Sequence, residues 1–449
     1  MGATAKVIWK VGGTHAWDKL TEEEKAIINK QTYWEICCEV GEQEFAKLSD
    51  GEKHAIDWFV WSGCCMHMEL NIVIYAYIAM SPFWEENSHP GPVKLMNKNN
   101  TAPSAIGNGE TKDHAEHISK GGAVKLTSLA GPLFHDKDDK KGHQDSYKFF
   151  MEESSVKFPD TGNTRFQSYC DAAGVLLVYQ KLFIKFLCLV KYKKGSETLN
   201  NMEANVLKGL KDLPTIQELV ILTLFSQIIS NPYMCQIQTK KDLNALTLSP
   251  LHHAIAVFME KIIADPEIVF SPNATYEMAS FDGKLWERPK VFYKIQSMVP
   301  SLPYICPLFV KFMVGALVTW RRFMEDYKEG GAIAGLSPAQ MAEGYLDSTN
   351  NINEGALGSY CCVMRQNSNM TELTYNAQTS YKENTIGEYI QSMGDNEWVF
   401  LWSKACEIGA AQLEAAQHKL VTNHSKELQQ KMRRRNRKDW RRKQKIMQY

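Results

Sequence analysis

Four sets of side chains in this sequence have the types and spacing to do chemistry. The first is Cys64 and His67, three apart in the stretch 63–71 (GCCMHMELN), with Leu70 and Asn71 close behind. Such a pair can tie the end of one element to the start of the next, or supply two metal ligands. Zinc takes four such donors, and no second Cys/His pair at matching spacing accompanies this one. The plain alternative is a buried thiol and a hydrogen-bonded core histidine. The second set is 351–358 (NINEGALG), where Glu354 stands three residues after Asn351. That spacing suits a capping box at a helix start. It also suits a metal-holding carboxylate: two-metal cleavage of nucleic acid uses a few carboxylates to hold Mg²⁺ ions about 4 Å apart. Asp57, shortly before Cys64, is the nearest second acid, and Asp145 and Asp160 are further candidates.

The third set is 159–168 (PDTGNTRFQS). Asp160, Thr161 and Asn163 are helix-capping types. Arg165 has the chemistry to contact a phosphate, and Phe166 to stack or wedge against bases. The fourth is the end of the chain. Residues 431–449 hold ten Lys/Arg, among them Arg433, Arg434, Arg435, Arg437, Lys438, Arg441 and Arg442, against the single acid Asp439. A stretch of that kind releases counterions on binding a polyanion and suits nuclear import; otherwise it is a solvated helix end. A fifth cluster, Asp136, Asp138, Asp139 and Asp145 beside His135 and His143, alternates with lysines and reads as a solvated loop. It lacks the glycine and closing glutamate of a calcium loop.

These residues need elements to position them. Residues 21–49 have helical periodicity and open on Thr21 and Glu24, a capping-box spacing. The aromatic run 55–62 (AIDWFVWS) reads as a buried strand ending at Gly63, and 70–79 as a helix. Residues 81–125 and 135–145 read as polar loops. From 170 onward the pattern is helical: 170–191, 201–211, 215–229, 249–263 and 308–327, then 354–366, 375–393 and 395–430. The expectation is a mainly α chain with a small β component. Its segments are 1–50 (helical), 51–169 (partial core with long loops), 170–340 (helices), 341–420 (helical continuation) and 421–449 (basic tail).

Composition narrows the functions. The 449 residues are 44% hydrophobic and 23% charged, which suits packed domains. The formal net charge of zero hides a partition, because residues 1–430 carry 41 basic and 50 acidic groups and the tail is +9. The apolar stretches 174–190 and 305–320 are interrupted by lysines, so no membrane span is expected. Eleven cysteines, including the neighbours Cys37-Cys38, Cys64-Cys65 and Cys361-Cys362, point to reduced thiols in a nuclear or cytoplasmic protein, not a secreted one. There is no Gly-rich phosphate loop, GxSxG elbow or HExxH pair.

In order, these motifs resemble the transposases of the hAT superfamily, and more closely the fungal Kyakuja-Dileera-Zisupton type. The resemblance covers roughly 50–365. It implies an RNase H-like core interrupted by a large all-helical insertion, with an Asp-Asp-Glu site that uses Mg²⁺ to cut and join DNA. Cys64, His67 and Asn71 stand at the family's Cys-x-x-His, offset by one position at the Asn. Thr164, Arg165, Phe166 and Ser168 match the entry to the insertion, with Phe where the hAT form has Trp. Glu354 matches the last catalytic carboxylate. The earlier acids have no matching strand context here, and one carboxylate cannot hold two metal ions. The expectation is therefore the C-terminal part of a transposase-like protein, catalytically inactive and DNA-associated, with homo-oligomers compatible. The alternatives are a metal-dependent nuclease or strand-transfer enzyme using Glu354 and Asp57, and a helical interaction protein without a nucleic-acid role.

Overall fold

The computed structural model describes residues 3–57, 59–106, 109–136, 142–151, 156–161, 167–194, 198–239, 243–384 and 386–410, and after these only 419–420, 422–424 and 426–427. The chain forms two units, Met1–Thr349 and Asn350–Tyr449. Among the described residues both are built from helices. The β component is two isolated bridges, Lys94 with Gly121 and Asn244 with Asp347.

The first unit opens with α1 (Ala3–Lys10) and α2 (Glu22–Lys47). Thr21 and Glu24 form the expected capping box at the start of α2. Lys6 and Lys10 of α1 pair with Glu39 and Glu35 of α2. The strand expected at 55–62 is not formed. Asp50–Asp57 is a helix, α3, and the chain from 59 to 64 has no regular structure. The cause is a second capping box: Ser49 Oγ accepts from the Glu52 backbone N–H, and the Glu52 carboxylate accepts from Ser49. That cap starts a helix that runs into the aromatic stretch. Phe59 is 81% and Trp61 65% exposed, so the run is not buried either.

The Cys-x-x-His segment enters α4 (Cys65–Met80). The loop expected at 81–125 instead contains short helices at Phe83–Glu86, Lys98–Ile106 and Gly109–His117 before α5 (Gly122–His135). Asn97 caps one of them by accepting from the Asn100 backbone N–H at 3.0 Å. Helix α6 (Gln144–Phe150) follows; the 137–141 part of the acidic loop lies outside the described residues. The single helix expected over 170–191 is two, α7 (Ser168–Val178) and α8 (Gln180–Lys193), bent by 83°. The bend falls at Tyr179 (φ −107°, ψ 19°), and beyond it Gln180 Nε2 donates to the Leu210 carbonyl.

Helix α9 (Asn201–Gly209) leads to α10 (Leu213–Phe225), the centre of the unit. Every α10 residue from Thr215 to Phe225 is buried. Asn231-Pro232 should end this helix, since proline has no N–H for the carbonyl four residues back and its ring crowds that carbonyl. The chain instead widens into a π-turn, Ser226–Ser230, and continues as α11 (Asn231–Thr239). The Asn231 N–H reaches Ser226, and the Ile228 carbonyl that Pro232 cannot satisfy accepts from the Phe281 N–H at 2.8 Å. The stretch Leu213–Thr239 is long and apolar enough for a membrane span, but 89% of its apolar window is inside the unit. It is a core rod.

Helices α12 (Ser249–Ala264), α13 (Pro289–Met298) and α14 (Ile305–Phe323) complete the packing. Helices α4 and α14 lie side by side because Gly315 leaves room: a Cβ there would come 2.5 Å from Ala79 and 3.1 Å from the Ala76 backbone. The second unit contains α15 (Asn351–Gln366), α16 (Glu372–Glu383) and α17 (Asp395–Ala410). Tyr375 links α16 to α15 by donating to the Ala356 carbonyl and packing edge-on against Tyr360.

Candidate functional site

The site begins with the one acid of α4. Its sequence, CMHMELNIVIYAYIAM, carries a single carboxylate, Glu69, and that residue is 2% exposed. Isolated in an apolar helix, it must find partners elsewhere. Ser230, the last residue of the π-turn, donates to Glu69 Oε1 at 2.5 Å. The wider turn gathers Ser226, Ser230 and Asn231 in the core, where Ser226 Oγ donates to Asn231 Oδ1 at 3.0 Å. Gln167, at the entry to α7, has φ 56° and bonds through Nε2 to both Ser230 and Asn231. A left-handed non-glycine residue is held only where its surroundings fix it. These polar contacts do so.

Burial pushes Glu69 up to about 7; the Ser230 hydroxyl and Gln167 backbone pull against it, and the Asp171 charge adds to the push. Asp171 on α7 is also raised by burial, offset by Arg288, whose Nη2 lies 3.0 Å away. One turn before Glu69 on the same face of α4, burial pushes the Cys65 thiol up to about 11, partly countered by Tyr233. The Tyr233 hydroxyl also lies 3.2 Å from His252 Nε2. Burial drives His252 down to about 3, so its ring is neutral. Tyr327 packs edge-on against that ring at 4.5 Å and shares a 2.7 Å hydrogen bond with Ser62. The result is a polar seam from Ser62 through His252 and Tyr233 to Glu69, Ser230 and Asp171. A cavity of about 740 Å³ lined by Ser249, His252, Trp320 and Arg321 adjoins its His252 and Tyr327 end.

A second lone acid, Glu218, is the only charge of α10 and is 1% exposed. It accepts from Tyr77 Oη (2.9 Å), Trp84 Nε1 (3.0 Å) and the Ala123 N–H (2.9 Å). Burial still pushes it up to about 7 against those donors. A third buried acid, Glu203, takes Lys194 and His143 as partners at 2.7 and 2.8 Å. It ends below its ordinary value although burial opposes the shift.

The seam draws together two of the sequence motifs. The Cys-x-x-His helix supplies Cys65 and Glu69, and the end of the Thr-Arg-Phe-x-Ser stretch supplies Gln167. Ser168, which opens α7, is buried. Cys64 and His67 are half-buried at the start of α4, and the Cys65 N–H donates to the Ser348 carbonyl at 3.0 Å. Asn71 is exposed and donates to the His67 carbonyl at 2.9 Å, so its bond is internal to the helix. Thr164, Arg165, Phe166 and the tail residues Arg433, Arg434, Arg435, Arg437, Lys438, Arg441 and Arg442 lie outside the described residues. Asp57 is exposed at the end of α3 in the first unit. Glu354 is exposed in the first turn of α15 in the second, where it accepts from Asn350 Nδ2 at 3.1 Å. Among the described residues no three His, Cys, Asp or Glu side chains converge as a metal site; Asp57 belongs to the first unit and Glu354 to the second.

The seam itself escapes a motif search because Glu69 belongs to no catalytic pattern. Its signal is a single carboxylate in a sixteen-residue apolar helix, and Glu218 gives the same signal in α10. No family model, curated protein or solved structure matches the chain.

Proposed function

We propose that this is a transposase-derived, nucleic-acid-associated helical protein that binds DNA without cutting it. The observation that carries the reading is the cationic stretch 431–449, with ten Lys/Arg and one acid, following 430 residues with net charge −9. A polyanion is the partner that such a stretch favours. The order of the motifs supports the transposase descent, as does the meeting of the Cys-x-x-His helix with the Thr-Arg-Phe-x-Ser stretch in one seam. The RNase H-like part of the reading calls for a sheet, of which the described residues hold only two isolated bridges, and the nuclear location rests on the basic tail alone. Binding is favoured over cleavage because Glu354 is the one acid of the sequence that matches the resemblance's catalytic carboxylates, and one carboxylate cannot hold two metal ions.

Replacing Arg433, Arg434, Arg435, Arg437, Arg441 and Arg442 by Gln tests the reading. Duplex affinity at 100 mM salt is expected to fall by more than tenfold in the variant; equal affinity sinks the DNA reading. Supercoiled plasmid is expected to stay intact with Mg²⁺ in both wild type and Glu354→Gln. Nicking that Glu354→Gln abolishes would establish the enzyme reading instead.

A further inference from the structure

We infer that α2 pairs with the α2 of a second copy of this chain, antiparallel, along a seam of Ile27, Gln31, Trp34, Cys38, Gly41 and Phe45. Nothing in this pairing depends on the nucleic-acid reading above.

Helix α2 is 26 residues long, and Thr32 is its only buried residue. Helix α1 covers one flank, where Lys6 and Lys10 reach Glu39 and Glu35. The six seam residues lie roughly a quarter-turn round the helix from those two glutamates. They follow one another at spacings of four, three, four, three and four, the heptad pattern of a helix that packs along another. All but the half-buried Phe45 are exposed, with Ile27 at 65% and Trp34 at 70%. Scattered exposed apolar residues need no partner, but a row in heptad register is the form of an interface.

The seam is complementary to itself when reversed. With two copies antiparallel and centred between Trp34 and Cys38, Ile27 meets the partner's Phe45, Gln31 meets the partner's Gly41, and Trp34 meets the partner's Cys38. By two-fold symmetry each contact occurs twice. The bulky Trp34 and the long Gln31 are thus each set against a small residue. A parallel pair would set Trp34 against the partner's Trp34 and Gly41 against the partner's Gly41, one layer crowded and one empty. Gly41 is informative in itself. Glycine weakens a helix interior, and nothing within this chain requires it there: its φ is not left-handed, and a Cβ would meet nothing within 4 Å. A partner side chain approaching closely supplies the reason.

The flanking charges select the same arrangement. Lys30 has no ion-pair partner among the described residues, and the reversed seam brings it beside the partner's Glu44. Glu44 is held only by Lys47, in an exposed pair one turn apart. Glu35 and the partner's Glu35 also approach near the two-fold axis, but Lys10 already neutralises each. The seam spans about 27 Å, which is short, so dissociation in roughly the micromolar range is expected.

Sedimentation velocity of the full chain at about 50 μM, in 150 mM salt with a reductant keeping Cys37 and Cys38 as thiols, tests the pairing. Wild type is expected at twice the chain mass, falling to one chain mass on hundredfold dilution. Trp34→Glu and Gly41→Leu, both at exposed positions, are each expected to weaken the dimer at least tenfold while helix content by circular dichroism is kept. Lys30→Glu is expected to weaken it at least threefold, and Lys30→Glu combined with Glu44→Lys to restore it. A wild type that is monomeric at 50 μM, or a dimer that both Trp34→Glu and Gly41→Leu leave intact, overturns the proposal. Rescue of Lys30→Glu by Glu35→Lys in place of Glu44→Lys indicates a parallel pair and overturns the reversed seam.

Discussion

Gly122 shows how one position can hold a core together. Its φ is 81°, and a Cβ there would overlap both the Tyr77 hydroxyl and the Glu218 carboxylate. Gly122→Ala therefore combines left-handed strain with a broken buried hydrogen-bond set. It is expected to cost about 3 kcal/mol or more, read as a lower urea midpoint; an unchanged midpoint contradicts the packing described. Glu69 sets a pH dependence. Its folded value near 7 lies above its ordinary 4.5, so the folded state holds the proton longer than the unfolded chain. The stability this gives is fully present below about 4.5 and is lost as pH rises through about 7. Glu69→Gln keeps an acceptor for Ser230 and removes the titration. Between pH 5 and pH 8 the variant is expected to gain about 3 kcal/mol relative to wild type. A gap that stays constant with pH shows that Glu69 does not titrate there. His252, neutral in the fold, acts in the opposite direction below about 6.5, which is why the comparison is with wild type at each pH.

At the scale of elements, legibility followed local rules. The capping box at Thr21 and Glu24 was readable, and α2 begins there. Ser49 and Glu52 have the same spacing, but the aromatic, β-branched run after them outweighed it and suggested a strand. The cap prevails because it satisfies backbone groups at once, while a strand at 55–62 has no partner strand among the described residues. The helix expected over 215–229 continues past Asn231-Pro232 for a different reason. A tertiary donor, the Phe281 N–H, takes the orphaned carbonyl, and no local rule supplies it. The Cys-x-x-His helix was legible as a motif, but Glu69 acquires its setting from three separate helical segments. Packing between elements is testable at Gly315. Gly315→Val would force α4 and α14 apart and is expected to cost about 2 kcal/mol by overpacking, measured by thermal or urea unfolding. Full tolerance would mean that the helices are not in close contact at Ala76 and Ala79.

For the whole molecule, the governing feature is charge partition. The buried acids Glu69, Glu203 and Glu218 are absorbed into hydrogen-bond sets, and the excess of acids over bases is spread over residues 1–430. The excess of bases is concentrated after 430. This division was legible from composition alone, whereas the separation of Asp57 from Glu354 into two units was not. Membership of a unit depends on long-range packing that short motifs do not encode. The direct measurement is the salt dependence of duplex binding by the full chain. If six to ten phosphates are neutralised, affinity is expected to fall by roughly 10³- to 10⁵-fold between 50 and 200 mM salt. A nearly flat dependence would contradict the account, leaving a helical protein whose basic tail has another use.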